Sequence, residues 1–321
     1  MVVRMRIDLS IIIPFFNEEG CVRELVHRVA TVSRQLSLVF EVIAIEDGSR
    51  DRTYEKLVET SRDFEELRVL KLSRNFGQMA ALSAGLDSAI GDAVLVMDGD
   101  LQDPPELIPK FVAAWREGAN VVNGRRRSQP DKGLVRLGKW IFYVLMTKFS
   151  RAPFPNNVGT FCLIDRKTLD FIGAMPERQR FFAGLRAWVG GNVAWVEYDR
   201  SERSQGESRI GLPGLCRLAW MALTSFSSAP LRIASVVSMS VGLILFGVGL
   251  TAIIIRLSTN LAIPGWATFT TLIGITGFFQ SVVLAILAEY VAVMFDEIKR
   301  RPLYVKQVEI RGGKPAETRV D

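Results

Sequence analysis

Two aspartates separated by one residue directly follow a short apolar run at residues 93–97. Carboxylates as close in sequence as Asp98 and Asp100 repel each other unless a cation lies between them. A hard divalent cation such as Mg²⁺ or Mn²⁺ is often held by one or two carboxylates and completes its shell with phosphate oxygens; the Gln102 carbonyl could add a neutral ligand. Such a cation would neutralise the charge on a departing nucleoside diphosphate. The spacing therefore predicts a metal–diphosphate site at Asp98, Asp100 and Gln102.

A second polar group follows the first two apolar runs of the chain. Segments 14–18 and 46–49 stand where those runs end, and their acidic side chains could accept hydrogen bonds from a ribose or a base. The alternative is that Asn17, Asp47 and Ser49 only cap the helices that come next. The sequence leaves both interpretations open.

The elements that must position these groups alternate between strands and helices. Apolar runs at residues 9–15, 41–45, 68–72 and 93–97 have the length and composition of buried parallel strands. Helical spacing of apolar residues separates the first two runs and the last two. This alternation predicts a doubly wound α/β domain over residues 6–125. Ligands bind at the carboxyl ends of the strands in such sheets, which is where both polar groups lie.

The last third of the chain contains two uncharged apolar segments. Hydrophobic residues make up 49% of the chain, the mean hydropathy is +0.21, and residues 233–255 and 260–288 contain no charged side chain. Each segment is long enough to cross a hydrocarbon core of about 30 Å. We therefore expect two transmembrane helices in a multi-pass protein of the cell inner (plasma) membrane. The flanking basic residues place both termini and the α/β domain in the cytosol.

These patterns divide the chain into three parts. We predict an α/β domain over residues 1–230, a two-span membrane domain over residues 231–298, and a cytosolic tail over residues 299–321 whose polar end, residues 311–321, is disordered. Two amphipathic segments near residues 134–149 and 212–226 carry Trp and basic side chains. Either could be an ordinary surface helix packed on the domain; the Trp and basic residues favour helices that lie in the membrane interface.

Composition restricts the remaining function classes. A net charge of +6 suits contact with anionic lipid head groups and a phosphorylated ligand, and no nucleic-acid-binding module is recognisable. The three cysteines have no CxxC spacing, which fits a reducing compartment and indicates neither a disulfide framework nor a cysteine metal site. The one histidine, His27, is interpreted as a surface residue without a catalytic role.

The order of the motifs resembles glycosyltransferase family 2, in particular its polyprenyl-phosphate branch, which includes dolichyl-phosphate mannose synthases and bactoprenol glucosyltransferases. The resemblance extends from residue 10 to about residue 301 and includes SIIIPFFNEE, EDGSRDRT, LSRNFGQMAALSAGL, MDGDLQDPPELIP, RSERSQGES and SFSSAPLR. It implies a cytosolic GT-A (Rossmann-like) catalytic domain with Mg²⁺ or Mn²⁺ bound at Asp98, Asp100 and Gln102.

The resemblance also implies roles for two further sets of residues. It assigns nucleotide binding to Pro14, Phe16, Glu18, Glu46, Asp47 and Asp98, where Glu46 replaces an Asp common in the family. It assigns phosphate binding to Arg126, Arg136, Arg203, Ser208 and Arg209. The catalytic residues would be Asp98, Asp100, Arg126 and Arg203. The neighbouring Arg125 and Arg127 leave the register at Arg126 ambiguous.

One departure from the family bears on the mechanism. Many members carry an Asp, proposed as the catalytic base, at a position where this chain has Thr160. Threonine cannot act as that base. A phosphate monoester with a second pKa of about 6 is, however, largely a dianion at neutral pH and has no proton to surrender. We therefore predict that Thr160 is not essential for proton transfer.

Together these features predict metal-dependent transfer of one sugar, with inversion, from a nucleotide donor to a polyprenyl phosphate such as undecaprenyl phosphate. The resemblance implies glucose from UDP-glucose as the donor, while the residues themselves leave mannose, N-acetylglucosamine and aminoarabinose open. A processive polysaccharide synthase is disfavoured, because QxxRW is absent and two spans cannot easily form a channel. A non-catalytic membrane scaffold is disfavoured because Asp98, Asp100 and Gln102 are all present. The resemblance further implies a homo-oligomer.

Overall fold

The computed structural model describes residues 6–127, 158–177, 180–199, 229–258 and 265–316. Both predicted interfacial helices lie outside these residues, as do four of the predicted phosphate-binding residues. Those four are Arg136, Arg203, Ser208 and Arg209.

The described strands form one mixed sheet. In spatial order they are β7 (Val193–Tyr198), β5 (Val121–Arg126), β6 (Val158–Asp165), β4 (Ala93–Val96), β1 (Leu9–Phe15), β2 (Phe40–Glu46), β3 (Leu67–Leu72), β8 (Lys306–Arg311) and β9 (Lys314–Pro315). The parallel centre, β4-β1-β2-β3, contains the four predicted strands, each confirmed to within one residue at either end. Antiparallel β6 lies between β4 and β5.

Helices cover both faces of the sheet. They are α1 (Val22–Arg34), α2 (Thr53–Asp63), α3 (Gln78–Ser88), α4 (Ile108–Arg116), α5 (Arg166–Gly173) and α6 (Phe182–Val189). Helices α1, α2 and α4 pack on one face, and α3, α5 and α6 pack on the other. All residues of β2 and β4 are buried, which explains their continuous apolar sequences. His27 is exposed on α1.

Helix α3 packs especially closely on the sheet. A Cβ atom on Gly85 would lie 2.5 Å from Cγ2 of Ile12 and 2.8 Å from Cδ1 of Ile45. Any larger residue at this position would push α3 away from β1 and β2. The close packing fixes the amino-terminal end of α3, where Gln78 lies, relative to the carboxyl ends of the strands.

The carboxyl-terminal segment is not a disordered tail up to residue 316, which corrects the prediction for residues 311–321. Strand β8 pairs antiparallel with β3, and β9 pairs with β8. Ile310 is 3% exposed and belongs to the same core as β1. The Arg68 guanidinium on β3 contacts both Glu41 of β2 and Glu309 of β8. Alternation of apolar and polar residues buries one face of β8 while the other keeps its charges.

Two long helices, α7 (Ala229–Ser258) and α8 (Trp266–Lys299), follow β7 and precede β8 along the chain. They pack against each other. Among the described residues, Leu272–Lys299 is long and apolar enough to cross a membrane, whereas Val236–Leu245 is a shorter apolar helical stretch. By length and composition the structure thus supports one of the two predicted spans, and the other stays a prediction.

We expect Ile310→Ala to lower the free energy of unfolding of the sheet domain by about 2–4 kcal/mol, because it removes a buried branched side chain. Val305→Ala, at a position that is 49% exposed, should change it by less than about 0.5 kcal/mol. Denaturant unfolding of the purified full chain measures both values. Equal stability of the two variants would indicate that β8 does not pair with β3.

Candidate active site

The Asp98 carboxylate lies just beyond β4, between side chains from two other elements. Its Oδ1 atom accepts one hydrogen bond from the Thr160 hydroxyl at 2.8 Å and another from the Gln78 side-chain amide at 2.9 Å. The β4–β6 register pairs Val96 with Cys162, so continuing the register places Thr160 beside Asp98. Helix α3 supplies Gln78 from its first turn.

Three aspartates crowd into this part of the structure. Burial, followed by the charge of Asp103, raises the pKa of Asp98 to about 6, and Asp100 adds to the increase. The hydrogen bond from Thr160 and the charge of Arg126 act in the opposite direction. A carboxylate whose ionised form is disfavoured by its neighbours gains from a nearby cation. This electrostatic environment fits a divalent cation held by Asp98 and Asp100.

The backbone of the acidic loop bends closely against the end of β1. A Cβ atom on Gly99 would lie 2.7 Å from the carbonyl oxygen of Pro14, so glycine is required there. Leu101 has a φ of 60°, in the left-handed region. Asp100 is buried, and its Oδ1 atom accepts a 3.2 Å hydrogen bond from the Gln102 backbone N–H. The loop therefore brings the predicted metal ligands next to Pro14 of the predicted nucleotide group.

Asp103 connects the acidic loop to Arg126. The Tyr198 hydroxyl donates to Oδ1 of Asp103 at 2.7 Å, and Nε of Arg126 donates to the Tyr198 oxygen at 3.2 Å. Asp103 is fully buried. Burial and the Asp103 charge raise the pKa of Tyr198, so its hydroxyl stays protonated and able to donate. Among the described residues, Arg126 is thus held at the site by a neutral phenol rather than by a direct ion pair.

Strand β5 resolves which of three consecutive arginines faces the site. A Cβ atom on Gly159 would lie 2.7 Å from Nη2 of Arg126, which places that guanidinium against β6 next to Thr160. Arg125 instead lies over the Trp195 ring at 5.0 Å, and Arg127 pairs with Glu197 of β7 and with Asp199 just after it. The assignment of Arg126 is the one that the geometry favours.

The capping interpretation is wrong for Asn17 and Ser49. The Ser49 hydroxyl accepts a hydrogen bond from the Asn17 backbone N–H at 3.0 Å, and the Asn17 side-chain oxygen accepts one from the Arg50 backbone N–H at 2.7 Å. The residues directly before α1 and α2, Cys21 and Arg52, form no side-chain capping hydrogen bond, and at α2 the carboxylate that accepts from the first backbone N–H belongs to Asp51. Asn17 and Ser49 instead tie together the loops that follow β1 and β2.

Asp47 holds the loop that precedes α3. Its two carboxylate oxygens accept hydrogen bonds from the backbone N–H groups of Phe76 and Gly77, at 2.8 and 2.9 Å. Burial raises the pKa of Asp47, against the lowering effect of these two donors. Because Gln78 follows directly and contacts Asp98, Asp47 links the predicted nucleotide group to the acidic loop.

A cleft of about 500 Å³ opens at the carboxyl ends of β1, β2 and β3. It contains Phe16 and Glu46 from the predicted nucleotide group, with Tyr54, Lys71 and Arg74. Gln307 of β8 completes the lining. The remaining predicted nucleotide residues lie beside the cleft and do not line it. Among them, Pro14 and Glu18 are half-buried and Asp47 is buried.

Within the described residues, no three His, Cys, Asp or Glu side chains are arranged as a set that could hold a metal ion. Mg²⁺ often takes only one or two protein carboxylates and completes its shell with waters and substrate phosphates. A cation at Asp98 and Asp100 would therefore need oxygens from a bound phosphate ligand.

Comparison with known families decides the class of protein. Residues 10–173 match the family model of glycosyl transferase family 2. The chain belongs to glycosyl transferase family 2. An uncharacterized glycosyltransferase of Synechocystis is 36% identical, with 94% of this chain and 95% of that protein covered. A prophage bactoprenol glucosyl transferase homolog of Escherichia coli is 35% identical, with 92% and 97% covered. A bactoprenol glucosyl transferase of Shigella flexneri is 36% identical, with 95% and 99% covered.

A solved structure confirms the GT-A fold predicted for this family 2 glycosyltransferase. Glucosyl-3-phosphoglycerate synthase of Mycobacterium tuberculosis, in complex with Mn²⁺, UDP and glucosyl-3-phosphoglycerate, superposes with a TM-score of 0.51. It is 17% identical, and the match covers 68% of this chain and 79% of that chain.

Three residues that contact the candidate site were assigned no role from the sequence. Gln78 lies within LSRNFGQMAALSAGL and Arg186 within RFFAGLRAWVG, two segments that carry the family resemblance, but neither segment indicates a contact with the site; Tyr198 is an ordinary member of a strand. Arg186 is 3% exposed, and its Nη2 atom donates to the Gly159 carbonyl at 2.8 Å. Its other two guanidinium nitrogens have no hydrogen-bond partner in the described part of the chain. An arginine in an amphipathic helix is normally solvated, so its type and spacing gave no reason to assign it a role.

We expect Thr160→Val to lower the turnover of glycosyl transfer by about tenfold, because it removes one hydrogen bond to a charged group, worth about 1.5 kcal/mol. Thr160→Ser should keep most of the activity. Steady-state kinetics with saturating donor measures both. A loss as complete as that of Asp100→Asn would mean that Thr160 takes part in the chemistry itself.

Proposed function

We propose that this glycosyltransferase moves one glucose from UDP-glucose to a polyprenyl phosphate, such as undecaprenyl phosphate, at the cytosolic membrane face. The observation that carries the proposal is how much of this chain aligns with the relatives named bactoprenol glucosyl transferase. They align with more than nine tenths of this chain. Their alignment therefore includes α7 and α8 as well as the acidic loop.

On the donor side, we assign the nucleotide to the cleft that contains Phe16 and Glu46, with the diphosphate directed towards Asp98 and Asp100. The solved Mycobacterium tuberculosis relative contains Mn²⁺ and UDP, and we propose the same type of ligands here. Mg²⁺ or Mn²⁺ at the two aspartates, with Gln102 as a neutral ligand, would stabilise the charge of the departing diphosphate.

On the acceptor side, an ionised phosphate oxygen attacks C1 of the sugar as the bond from C1 to the diphosphate oxygen breaks, which inverts the configuration. No proton needs to be removed, because a phosphate monoester is largely a dianion at neutral pH. The position of Thr160 is consistent with a mechanism that needs no base, because its hydroxyl donates to Asp98 and is therefore not directed at the acceptor.

The acceptor phosphate needs cations close to the aspartates. Arg126 provides one, because Tyr198 accepts a hydrogen bond from its guanidinium and the missing side chain of Gly159 leaves space for that group beside the acidic loop. We propose that Arg136, Arg203, Ser208 and Arg209 complete the phosphate site. A planar guanidinium can bind two phosphate oxygens at once, which favours arginine for this role.

The lipid acceptor requires that the enzyme be anchored at a membrane. We propose that both α7 and α8 span the inner membrane, with the sheet domain in the cytosol and both helices available for packing in a homo-oligomer. Leu272–Lys299 has the required length and composition. In α7, residues 233–255 contain no charged side chain, which suits a second span.

Incubation of the purified chain with radiolabelled UDP-glucose, undecaprenyl phosphate and Mn²⁺ tests the reaction. We expect label in an organic-soluble lipid that releases glucose on mild acid treatment. Asp100→Asn should abolish transfer, and Lys110→Gln, an exposed change on α4, should leave it intact. Absence of lipid label with every common nucleotide sugar would refute the assignment.

Metal affinity should depend on pH through Asp98. Because the pKa of Asp98 is raised to about 6 in the absence of a cation, its carboxylate is ionised above that pH and becomes protonated below it. Metal ligands must be deprotonated, so we expect Mn²⁺ affinity in the presence of UDP to fall about tenfold between about pH 7 and pH 5.

Electron paramagnetic resonance of free Mn²⁺ measures this affinity. The Asp98→Asn variant is the matched control, because it lacks the Asp98 carboxylate and keeps the pH dependence of the other ligands, including the UDP phosphate. If wild type and Asp98→Asn lose affinity in parallel between these two pH values, Asp98 does not bind the metal.

A further inference from the structure

A cleft of about 740 Å³ lies between the carboxyl end of α8 and the segment that follows α5. Its charged lining consists of Glu177, Arg180, Glu297, Arg300 and Arg301. The rest of the lining is apolar and includes Ile298. We call this the α8 cleft. It is distinct from the site at Asp98, and its volume is in the range that accepts a drug-sized ligand.

The arginines of the α8 cleft exceed its carboxylates by one, three against two. Among the described residues, none of the three arginines forms a salt bridge. Arg180 donates only to backbone carbonyl oxygens, those of Glu177 and Met175, at 3.3 Å each. Guanidinium groups that lack a carboxylate partner favour a ligand with phosphate oxygens.

The cleft lies where the apolar surface of α8 ends. Val291, Met294, Phe295 and Ile298 are exposed and recur at helical spacing, and Ile298 is 77% exposed. Lys299 places its ammonium 3.9 Å above the Phe295 ring, as expected for a cation that reaches out from an apolar face. Ile298 belongs both to this apolar face and to the cleft wall.

The same end of α8 lies on the cytosolic side of the proposed span. The uncharged part of this span ends at Ala288, so the turns of α8 that carry Val291, Met294 and Ile298 lead from the hydrocarbon core into the head-group region. This step rests on the proposed function, in which α8 spans the membrane. Arg300 and Arg301 then follow on the cytosolic side, next to the head groups.

We propose that the α8 cleft binds an anionic phospholipid of the cytosolic leaflet. Arg300, Arg301 and Arg180 bind the phosphodiester, and the glycerol and upper acyl chains lie against Ile298. A zwitterionic lipid is disfavoured, because its ammonium group would face a cleft with an excess of positive charge. One wall of the cleft is formed by the segment before α6 and the other by the carboxyl end of α8. A lipid bound between them would therefore connect α8 to the sheet domain.

Binding of dioctanoyl phosphatidylglycerol to the delipidated full chain in neutral detergent tests the proposal, with dioctanoyl phosphatidylcholine as the comparison probe. Native mass spectrometry counts the retained lipid and gives relative affinities. We expect wild type to prefer the anionic lipid by about tenfold, and the preference to weaken as salt rises. Arg300→Gln with Arg301→Gln should reduce it to less than about threefold.

Two further variants keep the outcome interpretable. Arg300→Lys with Arg301→Lys retains the charge and should retain most of the preference, which controls for misfolding. Lys110→Gln with Arg116→Gln removes the same total charge from exposed positions of α4 and should bind like wild type. Equal binding of the two lipids by wild type, or an undiminished preference in the Gln variant of the cleft, would overturn the proposal.

A third arm adds a short-chain polyprenyl phosphate. If it displaces phosphatidylglycerol from wild type but not from the Gln variant, the cleft is an acceptor subsite and the proposal is wrong. Sugar transfer, assayed on the same preparations in phosphatidylcholine, separates the two hypotheses. Lost transfer with an intact lipid preference would count against the proposed function alone, and the reverse result against the cleft alone.

Discussion

The rest of this structure is constrained by Asp98, Asp100 and Asp103, three carboxylates that directly follow β4, a strand buried on both faces. Burying an ionised group costs several kcal/mol unless other groups compensate it. Thr160 and Gln78 donate to Asp98, and Tyr198 donates to Asp103. These donors come from three different elements, so β6, β7 and α3 must all converge on the acidic loop. Nearby Arg126 offsets only part of the negative charge, so a bound cation would stabilise the remaining charge.

The predicted nucleotide group and the predicted metal group are mechanically connected. Asp47 fixes the backbone of Phe76 and Gly77, and the next residue, Gln78, contacts Asp98. A ligand that displaced Asp47 from this loop would therefore also disturb Asp98. An acidic residue at the carboxyl end of the sheet can hold a loop and also accept a hydrogen bond from a bound molecule. A carboxylate offers more acceptor positions than two backbone donors use.

The sequence predicted those parts of the fold whose signal is local. The central parallel strands were predictable because continuous apolar runs mark strands covered on both faces. Strand β8 was missed because its charged outer face makes KQVEIR look like a polar tail, while its partner β3 lies more than 230 residues earlier. The contact of Thr160 with Asp98 depends on β6 inserting antiparallel beside β4, which no spacing in the sequence reveals.

The direction of β8 places the end of α8 near the sheet edge that carries the proposed active site. Because β8 is antiparallel to β3, its first residue, Lys306, pairs with Leu72 at the carboxyl end of β3. Helix α8 ends at Lys299, and seven residue steps of extended chain span at most about 25 Å. The cleft that contains Phe16 and Glu46 opens at this same edge, with Gln307 in its wall. A parallel β8 would have tied α8 to the opposite edge. The antiparallel return therefore keeps the end of α8, the proposed membrane helix, within about 25 Å of the edge where the proposed lipid-borne phosphate would arrive.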